Sequence, residues 1–138
     1  MSTNRVLKIS SADMVARARA RITEIGAIEA VHLHGDPGVI FVDIRDIRER
    51  QRQGFIPGSI HAPRGMLEFW FDPASPYARS ELMTDKTYIL HCASGWRSAL
   101  AASTLLDMGL EVAHIREGFS GWVESKGPVE HPIDRRNA

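Results

Sequence analysis

The only cysteine of the 138-residue chain, Cys92, stands where an apolar run meets a helical pattern. The preceding residues, KTYIL, are typical of a buried strand, and the next helix is expected to begin near Arg97 or Ser98. Free N–H groups and the dipole at a helix N-terminus favour negative charge, so a thiol placed there has a lowered pKa. The junction therefore predicts a nucleophilic thiolate, although a lone cysteine is also commonly an inert core residue.

The residues that follow Cys92 have the properties of an anion-binding loop. The first two are small, Gly95 can adopt a positive φ, and successive N–H groups can curl around an anion. Arg97 adds a fixed positive charge, and the serine after it can cap the helix or donate into the loop. The indole of Trp96 is expected to cover the pocket or to pack beneath it. The predicted loop consists of Ala93, Ser94, Gly95, Trp96, Arg97 and Ser98.

Hydrophobic patterning indicates an α/β fold around this loop. Strands separated by helices favour a mainly parallel central sheet with helices on both faces. Sites in such sheets gather at the carboxyl ends of strands, where Cys92 would lie. The predicted elements, in order, are a helix within 10–26, a short helix, a strand at 39–43, a charged helix before Gly54, a strand near 59–61, a strand at 86–92, a helix to Gly109, a strand at 111–115 and a last short helix.

Charge and composition exclude several classes of function. Seventeen basic residues balance seventeen acidic ones, which gives no electrostatic footprint for nucleic acid or an anionic membrane. No apolar run approaches the ~20 residues of a membrane span, and the first residues lack the apolar centre of a secretory signal. One cysteine forms no internal disulfide, and no CxxC or CxxH pair suggests a metal site. We therefore expect one domain over residues 1–138, located in the cytoplasm.

Four ordered motifs resemble the rhodanese (sulfurtransferase) family. The stretch FVDIRDIRERQRQGFIPGSIHAPRG is similar to the family's Asp-x-Arg strand end, its acidic helix and its Gly-x-Ile-Pro-Gly-Ala-Ile sequence. CASGWRS resembles the family's active loop, and EGFSGW resembles its Gly-Gly-Phe-x-x-Trp element. The likeness runs from about residue 39 to residue 130, after an N-terminal helical extension over about 1–35.

The resemblance implies covalent sulfur transfer on Cys92. The thiolate would attack the outer sulfur of thiosulfate or of a persulfide donor, and a thiol or cyanide acceptor would then take the sulfur from the resulting persulfide. The N–H groups of residues 93–98 would stabilise that anion, with no metal and no organic cofactor. Some family members carry basic residues where this chain has neutral Ala93 and Ser94, which favours a small-molecule or protein persulfide over thiosulfate.

Loop length distinguishes two kinds of chemistry in proteins that resemble this one. Sulfurtransferases of the family use a six-residue loop, whereas related phosphatases and arsenate reductases use Cys-x5-Arg, which is sized for a tetrahedral oxyanion. Cys92 to Arg97 is Cys-x4-Arg, which favours sulfur. Two alternatives stay open: a non-catalytic module that binds a protein partner and, less favoured, a phosphatase or arsenate reductase.

Four residues outside the loop are candidates for supporting roles. Asp43 and Arg45 end the first buried strand, with Glu49 nearby. Persulfide transfer from a thiolate does not demand a base, so we expect ion pairs that hold the loop over the sheet. His61 and Arg64 follow another strand, where they would line the pocket rim or belong to a solvated loop.

The histidines of the chain give no sign of a metal site. Strand alternation turns the side chain of His91 away from that of Cys92, which indicates a structural role. His32, His34, His114 and His131 show no metal-ligand spacing and are interpreted as incidental.

Overall fold

The computed structural model describes residues 5–133 and places them around one five-stranded sheet. The strand order is β1-β5-β4-β2-β3, and each pair of neighbouring strands is parallel. The strands are β1 (Thr23–Ile25), β2 (Val39–Asp43), β3 (Ile60–His61), β4 (Thr87–His91) and β5 (Ala113–Ile115). The helices are α1 (Ser11–Arg19), α2 (Ala27–Leu33), α3 (Ile47–Gln53), α4 (Leu67–Phe71), α5 (Trp96–Asp107) and α6 (Gly118–Glu124). The predicted α/β fold class is confirmed.

Two apolar layers enclose the sheet because the central strands alternate between its faces. Val42 pairs with Leu90, and Phe41 pairs with Ile89. The first pair packs with residues of α4 and α5, and the second packs with residues of α2 and α6. Full burial of such a side chain contributes about 2 kcal/mol. The packed layers fix the carboxyl ends of β2 and β4 side by side.

The connection from β4 to α5 is short and turns on a glycine. Gly95 is the N-cap of α5 and has φ +99°, a left-handed conformation that glycine adopts without a steric penalty. The helix begins at Trp96, one residue before the predicted start. Its residues Ala99, Ala102 and Leu105 are buried, which anchors the helix on the sheet.

The helix predicted within residues 10–26 is wrong in its second half. The predicted cap is correct, since Ser10 Oγ accepts the N–H of Asp13 at 3.0 Å, but α1 ends at Arg19. Residues 23–25 form the edge strand β1, in which Glu24 lies opposite His114 of β5. Three half-exposed residues show no apolar alternation, so only pairing with a distant strand reveals β1. The N-terminal part of the chain is therefore not purely helical.

The apolar segment after β3 forms a short helix over the core. Leu67 and Phe71 of α4 are buried against the layer that contains α5, as core packing predicts. Phe69 lies on the outer side, 49% exposed, with its ring against Tyr77. The segment thus contributes both to the core and to the surface.

Candidate active site

Cys92 follows the last residue of β4 and is enclosed by its own loop. Its side chain is buried, with 1% of the residue's surface exposed. The N–H groups of Gly95 and Ser98 donate to Cys92 Sγ at 3.2 and 3.4 Å. The loop therefore directs backbone dipoles at the sulfur, as an anion-binding site requires.

Close backbone contacts with α6 hold this loop conformation. The N–H groups of Phe119 and Ser120 donate to the carbonyl oxygens of Cys92 and Ala93 at 2.8 and 3.1 Å. A Cβ at Gly118 would lie 2.5 Å from the Ala93 oxygen, so only glycine permits the approach. Because the carbonyls face α6, the N–H groups of the loop are free to face the sulfur.

The hydrogen bonds to Cys92 reverse the effect of its burial. Burial alone would raise the pKa of the Cys92 thiol. The side-chain hydrogen bond between Cys92 and Ser98 and the N–H groups of Ser98, Gly95 and Ser94 outweigh it, and the pKa lies below its ordinary value. The site therefore favours a thiolate.

Arg97 lies at the rim of the loop in an ion pair. Both of its terminal nitrogens donate to Glu49 of α3 at 2.9 Å, and its side chain is 43% exposed. These hydrogen bonds raise the pKa of Arg97 and lower the pKa of Glu49. Glu49 also accepts the N–H of Asp46 in the capping box of α3. The pair joins the start of α5 to the start of α3.

A buried charge cluster lies at the end of β2. Asp43 accepts two hydrogen bonds from the Arg45 guanidinium, at 3.0 and 2.8 Å, and one from Arg50 at 3.0 Å. Burial opposes its ionisation, but the contacts with Arg45 prevail and lower the pKa of Asp43 to about 2. The Arg45 guanidinium also stacks on the Phe119 ring, 4.2 Å from its centroid. The cluster thus links β2 to α6, which supports the loop.

His91 faces away from the cysteine, as strand alternation predicts. Its ring stacks on Phe119, and its Nδ1 lies 3.2 Å from the Cys92 carbonyl oxygen. Burial lowers the pKa of His91 to about 4, so the ring is neutral at physiological pH. Its Nε2 is 3.8 Å from Asp43 Oδ2, too far for a hydrogen bond.

The remaining predicted site residues lie at different distances from the loop. His61 Nε2 is 2.7 Å from the carbonyl oxygen of Arg45, which ties β3 to the strand end of β2. Arg64 instead binds Glu68 at 2.6 Å and Thr104 at 3.4 Å, and Thr104 is near the far end of α5. Trp96 lies at the loop rim and is 49% exposed. The structure therefore groups His61 with the strand ends and leaves Arg64 apart.

Sequence reasoning gave no role to two residues that the structure joins to the loop, one of them directly and the other through the first. His114 of β5 is fully buried, and its Nδ1 lies 2.8 Å from Ser98 Oγ. Glu24 of β1 lies 2.9 Å from His114 Nε2. A histidine buried within an apolar strand needs polar partners, so the position of His114 in the predicted strand at 111–115 could have indicated a buried hydrogen-bonding role.

Within the described part of the chain, no metal site and no membrane helix is found. No group of three or more His, Cys, Asp or Glu side chains in residues 5–133 could hold a metal ion. None of the helices in the same residues combines the length and apolar character needed to cross a bilayer.

The parallel sheet, the cysteine loop after its central strand and the glycine-led helix behind it define an α/β domain that carries a cysteine at the carboxyl end of a central strand. Residues 27–125 match the rhodanese-like domain family. The chain belongs to this family, as its motifs predict.

Three relatives illustrate the range of this family. A sulfurtransferase from Allochromatium vinosum is 30% identical over 95 residues, which cover 68% of this chain and 80% of the relative. A solved protein of unknown function from Rhodopseudomonas palustris, described as a possible tyrosine phosphatase, is 45% identical with a TM-score of 0.89, covering 94% of this chain and 100% of the other. Thiosulfate sulfurtransferase from Pseudomonas aeruginosa is 26% identical with a TM-score of 0.72, covering 91% of this chain and 23% of that protein.

Proposed function

We propose that this chain is a sulfurtransferase in which Cys92 carries a sulfane sulfur as a persulfide. The observation that carries the proposal is the position of Cys92 Sγ, on which the N–H groups of Gly95 and Ser98 converge. Membership of the rhodanese-like family and the similarity to a sulfurtransferase support the class of reaction.

The proposed reaction has two half-reactions. The Cys92 thiolate attacks the outer sulfur of the donor, and the donor's S–S bond breaks. Its electron pair leaves on sulfite if the donor is thiosulfate, or on a thiolate if the donor is a persulfide. The acceptor, a thiolate or cyanide, then attacks the outer sulfur and releases the Cys92 thiolate. The loop N–H groups stabilise the negative charge on sulfur throughout.

Charge at the loop rim favours a persulfide donor over thiosulfate. Glu49 already neutralises Arg97, and Ala93 and Ser94 carry no charge. The rim therefore offers no unpaired positive charge to offset the larger cost of removing a dianion from water, and that cost is smaller for a singly charged persulfide of a small molecule or a protein. Because the carrier must be reduced to act, the proposal places the chain in a reducing compartment, the cytoplasm.

Intact mass spectrometry tests the sulfur carrier directly. The reduced protein is incubated with thiosulfate or with a low-molecular-weight persulfide, desalted and weighed beside the Cys92→Ser variant. We expect the wild type alone to gain one sulfur and to lose it when cyanide is added. If neither donor adds sulfur to the folded wild type, the proposal is wrong.

A second candidate, phosphatase activity, is favoured by the description of the similar Rhodopseudomonas palustris protein. The ion pair between Arg97 and Glu49 argues against it, since a guanidinium bound to a carboxylate by both terminal nitrogens is not free to bind phosphate. We expect no turnover of an aryl phosphate. Turnover without any uptake of sulfur would replace the first proposal with this one.

A further inference from the structure

A continuous chain of hydrogen-bonding groups leads from Cys92 through the interior to the edge of the sheet. Cys92 Sγ lies 3.5 Å from Ser98 Oγ, which lies 2.8 Å from His114 Nδ1. His114 Nε2 lies 2.9 Å from Glu24 Oε2. The first three residues are fully buried, whereas the side chain of Glu24 is 20% exposed. This series of groups therefore connects the enclosed thiol to a carboxylate that meets solvent.

Three secondary-structure elements contribute to this series of hydrogen-bonding groups. Glu24 of β1 and His114 of β5 are register partners, and paired residues of neighbouring parallel strands extend their side chains on the same face. His114 is also the register partner of Leu90 in β4, which packs with residues of α5. Ser98, in the first turn of α5, lies over this face. The alignment of the three groups is thus fixed by the sheet register and by the start of α5.

The chemistry of the groups orders their hydrogen atoms. An ionised Glu24 only accepts, so His114 Nε2 must carry a hydrogen. In the neutral ring Nδ1 is then an acceptor, and the Ser98 hydroxyl donates to it. Burial lowers the pKa of His114 despite the opposing effect of Glu24, which keeps the ring neutral at rest. The remaining lone pair of Ser98 Oγ faces the thiol.

We propose that His114, acting through Ser98, takes the proton of the Cys92 thiol, and that Glu24 stabilises the imidazolium that results. The S–H bond of Cys92 breaks as its proton passes to Ser98 Oγ, while the original hydroxyl proton of Ser98 passes to His114 Nδ1. The hydroxyl is restored and now donates to the thiolate. No proton is lost from the group, and no oxidant or reductant is involved.

The charges around His114 make its protonation depend on Glu24 and on the Cys92 thiolate. Glu24 faces it from β1, Arg19 of α1 lies 3.1 Å from Glu24 Oε2, and Arg116 beyond β5 lies 4.0 Å from Glu24 Oε1. Both arginines oppose a positive charge on His114, while burial disfavours it further. The imidazolium is therefore populated only while the Cys92 thiolate and Glu24 both carry negative charge, and the partly exposed Glu24 gives the proton a route to solvent.

The relay forms the thiolate, and it rests on the proposed function only for the reaction that the thiolate then undergoes. The test therefore uses no sulfur donor. The rate of Cys92 alkylation by iodoacetamide is measured against pH for wild type and His114→Asn. The amide oxygen of asparagine can accept the Ser98 hydroxyl near the place of Nδ1 but cannot take a proton. We expect the profile to move to higher pH by about one unit and alkylation at neutral pH to slow about tenfold. Exposed His32 supplies the control, and His32→Asn should keep the wild-type profile.

Glu24→Gln distinguishes the relay from simple electrostatics. Removal of a nearby negative charge by itself lowers the pKa of a thiol. The relay predicts the opposite, because the imidazolium loses its partner and the alkylation profile moves to higher pH. Circular dichroism checks that each variant folds, and Glu24→Gln decides alone if His114→Asn does not.

The two proposals fail in different ways. An unchanged profile in folded His114→Asn, or a shift to lower pH in Glu24→Gln, overturns the relay. A protein with the expected alkylation profiles that takes up no sulfur overturns the proposed function and leaves the relay in place.

Discussion

Burial has two opposing effects on the pKa of Cys92. Removal from water disfavours a charged sulfur, yet a low local dielectric also strengthens every N–H bond directed at it. The side-chain hydrogen bond with Ser98 and the N–H groups of Ser98 and Gly95 make the second effect prevail, and the pKa of Cys92 falls. Since all these groups are placed by the backbone of the loop and the start of α5, the reactivity of the thiol depends on loop conformation more than on the side chains of the loop rim.

Gly95→Ala tests this dependence on the backbone. A Cβ at Gly95 would lie 2.1 Å from the carbonyl oxygen of Arg116, so the loop must move. Gly109→Ala is the matched control, since Gly109 has φ +91° and open space around its Cβ position. Both variants should lose stability from the positive φ, and overpacking should cost Gly95→Ala about 2 kcal/mol more. Urea unfolding measures the difference, and the alkylation rate of Cys92 should fall only in Gly95→Ala. Equal losses in the two variants would mean that the loop tolerates the contact.

At the scale of elements, the loop is held from two sides by different forces. On one side α6 binds the carbonyls of Cys92 and Ala93 through the N–H groups of its first turn. On the other side α3 binds the loop through Glu49 and Arg97. The backbone contacts are buried and set the loop conformation, whereas the ion pair is partly exposed and contributes little to stability. The ion pair should instead affect donor binding, because it sets the net charge at the loop rim.

Glu49→Gln should therefore change donor binding more than stability. The free energy of unfolding should change by less than about 1 kcal/mol. The freed guanidinium of Arg97 should lower KM for thiosulfate about threefold, which is under 1 kcal/mol. Asp107→Asn breaks a comparable exposed pair with Arg21 at the other end of α5 and should leave KM unchanged. A KM that does not fall in Glu49→Gln would show that Arg97 does not reach the donor. Steady-state sulfur transfer and urea unfolding provide both measurements.

Local signals made some of these elements predictable and left others hidden. The β4 strand, Cys92 and the start of α5 are contiguous, so apolar patterning and Gly95 were sufficient to predict their arrangement. The contact between Glu24 and His114 joins residues 90 positions apart, through a strand with no pattern of its own. Arg97 and Glu49 are 48 positions apart. The sequence predicts ion pairs around Glu49 but does not indicate Arg97 as its partner. Register across a sheet is a property of the fold, which the spacing of a single segment does not contain.

For the molecule as a whole, buried ionisable groups make stability depend on pH. His91 has a pKa of about 4 in the folded chain against an ordinary 6.5, so the unfolded chain binds a proton first as pH falls. Its stabilising effect is complete above pH 6.5 and is lost down to about pH 4, a total of roughly 3 kcal/mol. Asp43, whose pKa is lowered from 3.8 to about 2, adds a further loss of roughly 2 kcal/mol as the pH falls from 3.8 to about 2.

His91→Leu should flatten the upper part of this dependence. Urea unfolding of wild type between pH 7 and 4.5 should show a falling free energy, and the variant should retain only a shallow slope. His114 accounts for that remainder, since its pKa is also lowered. His32→Asn, at an exposed position, should keep the full wild-type slope. A slope in His91→Leu equal to that of wild type would mean that folding does not lower the pKa of His91.

The strand β1 gives the proposed relay a member outside the matched family region. The family match begins at residue 27, after Glu24 and Arg19, whereas the loop and His114 lie inside it. Under the proposed relay, the acidity of Cys92 depends on a residue that the family match does not include. A change confined to the first strand would then alter the acidity of the thiol, and with it the acceptors that it suits, without any change beside the sulfur.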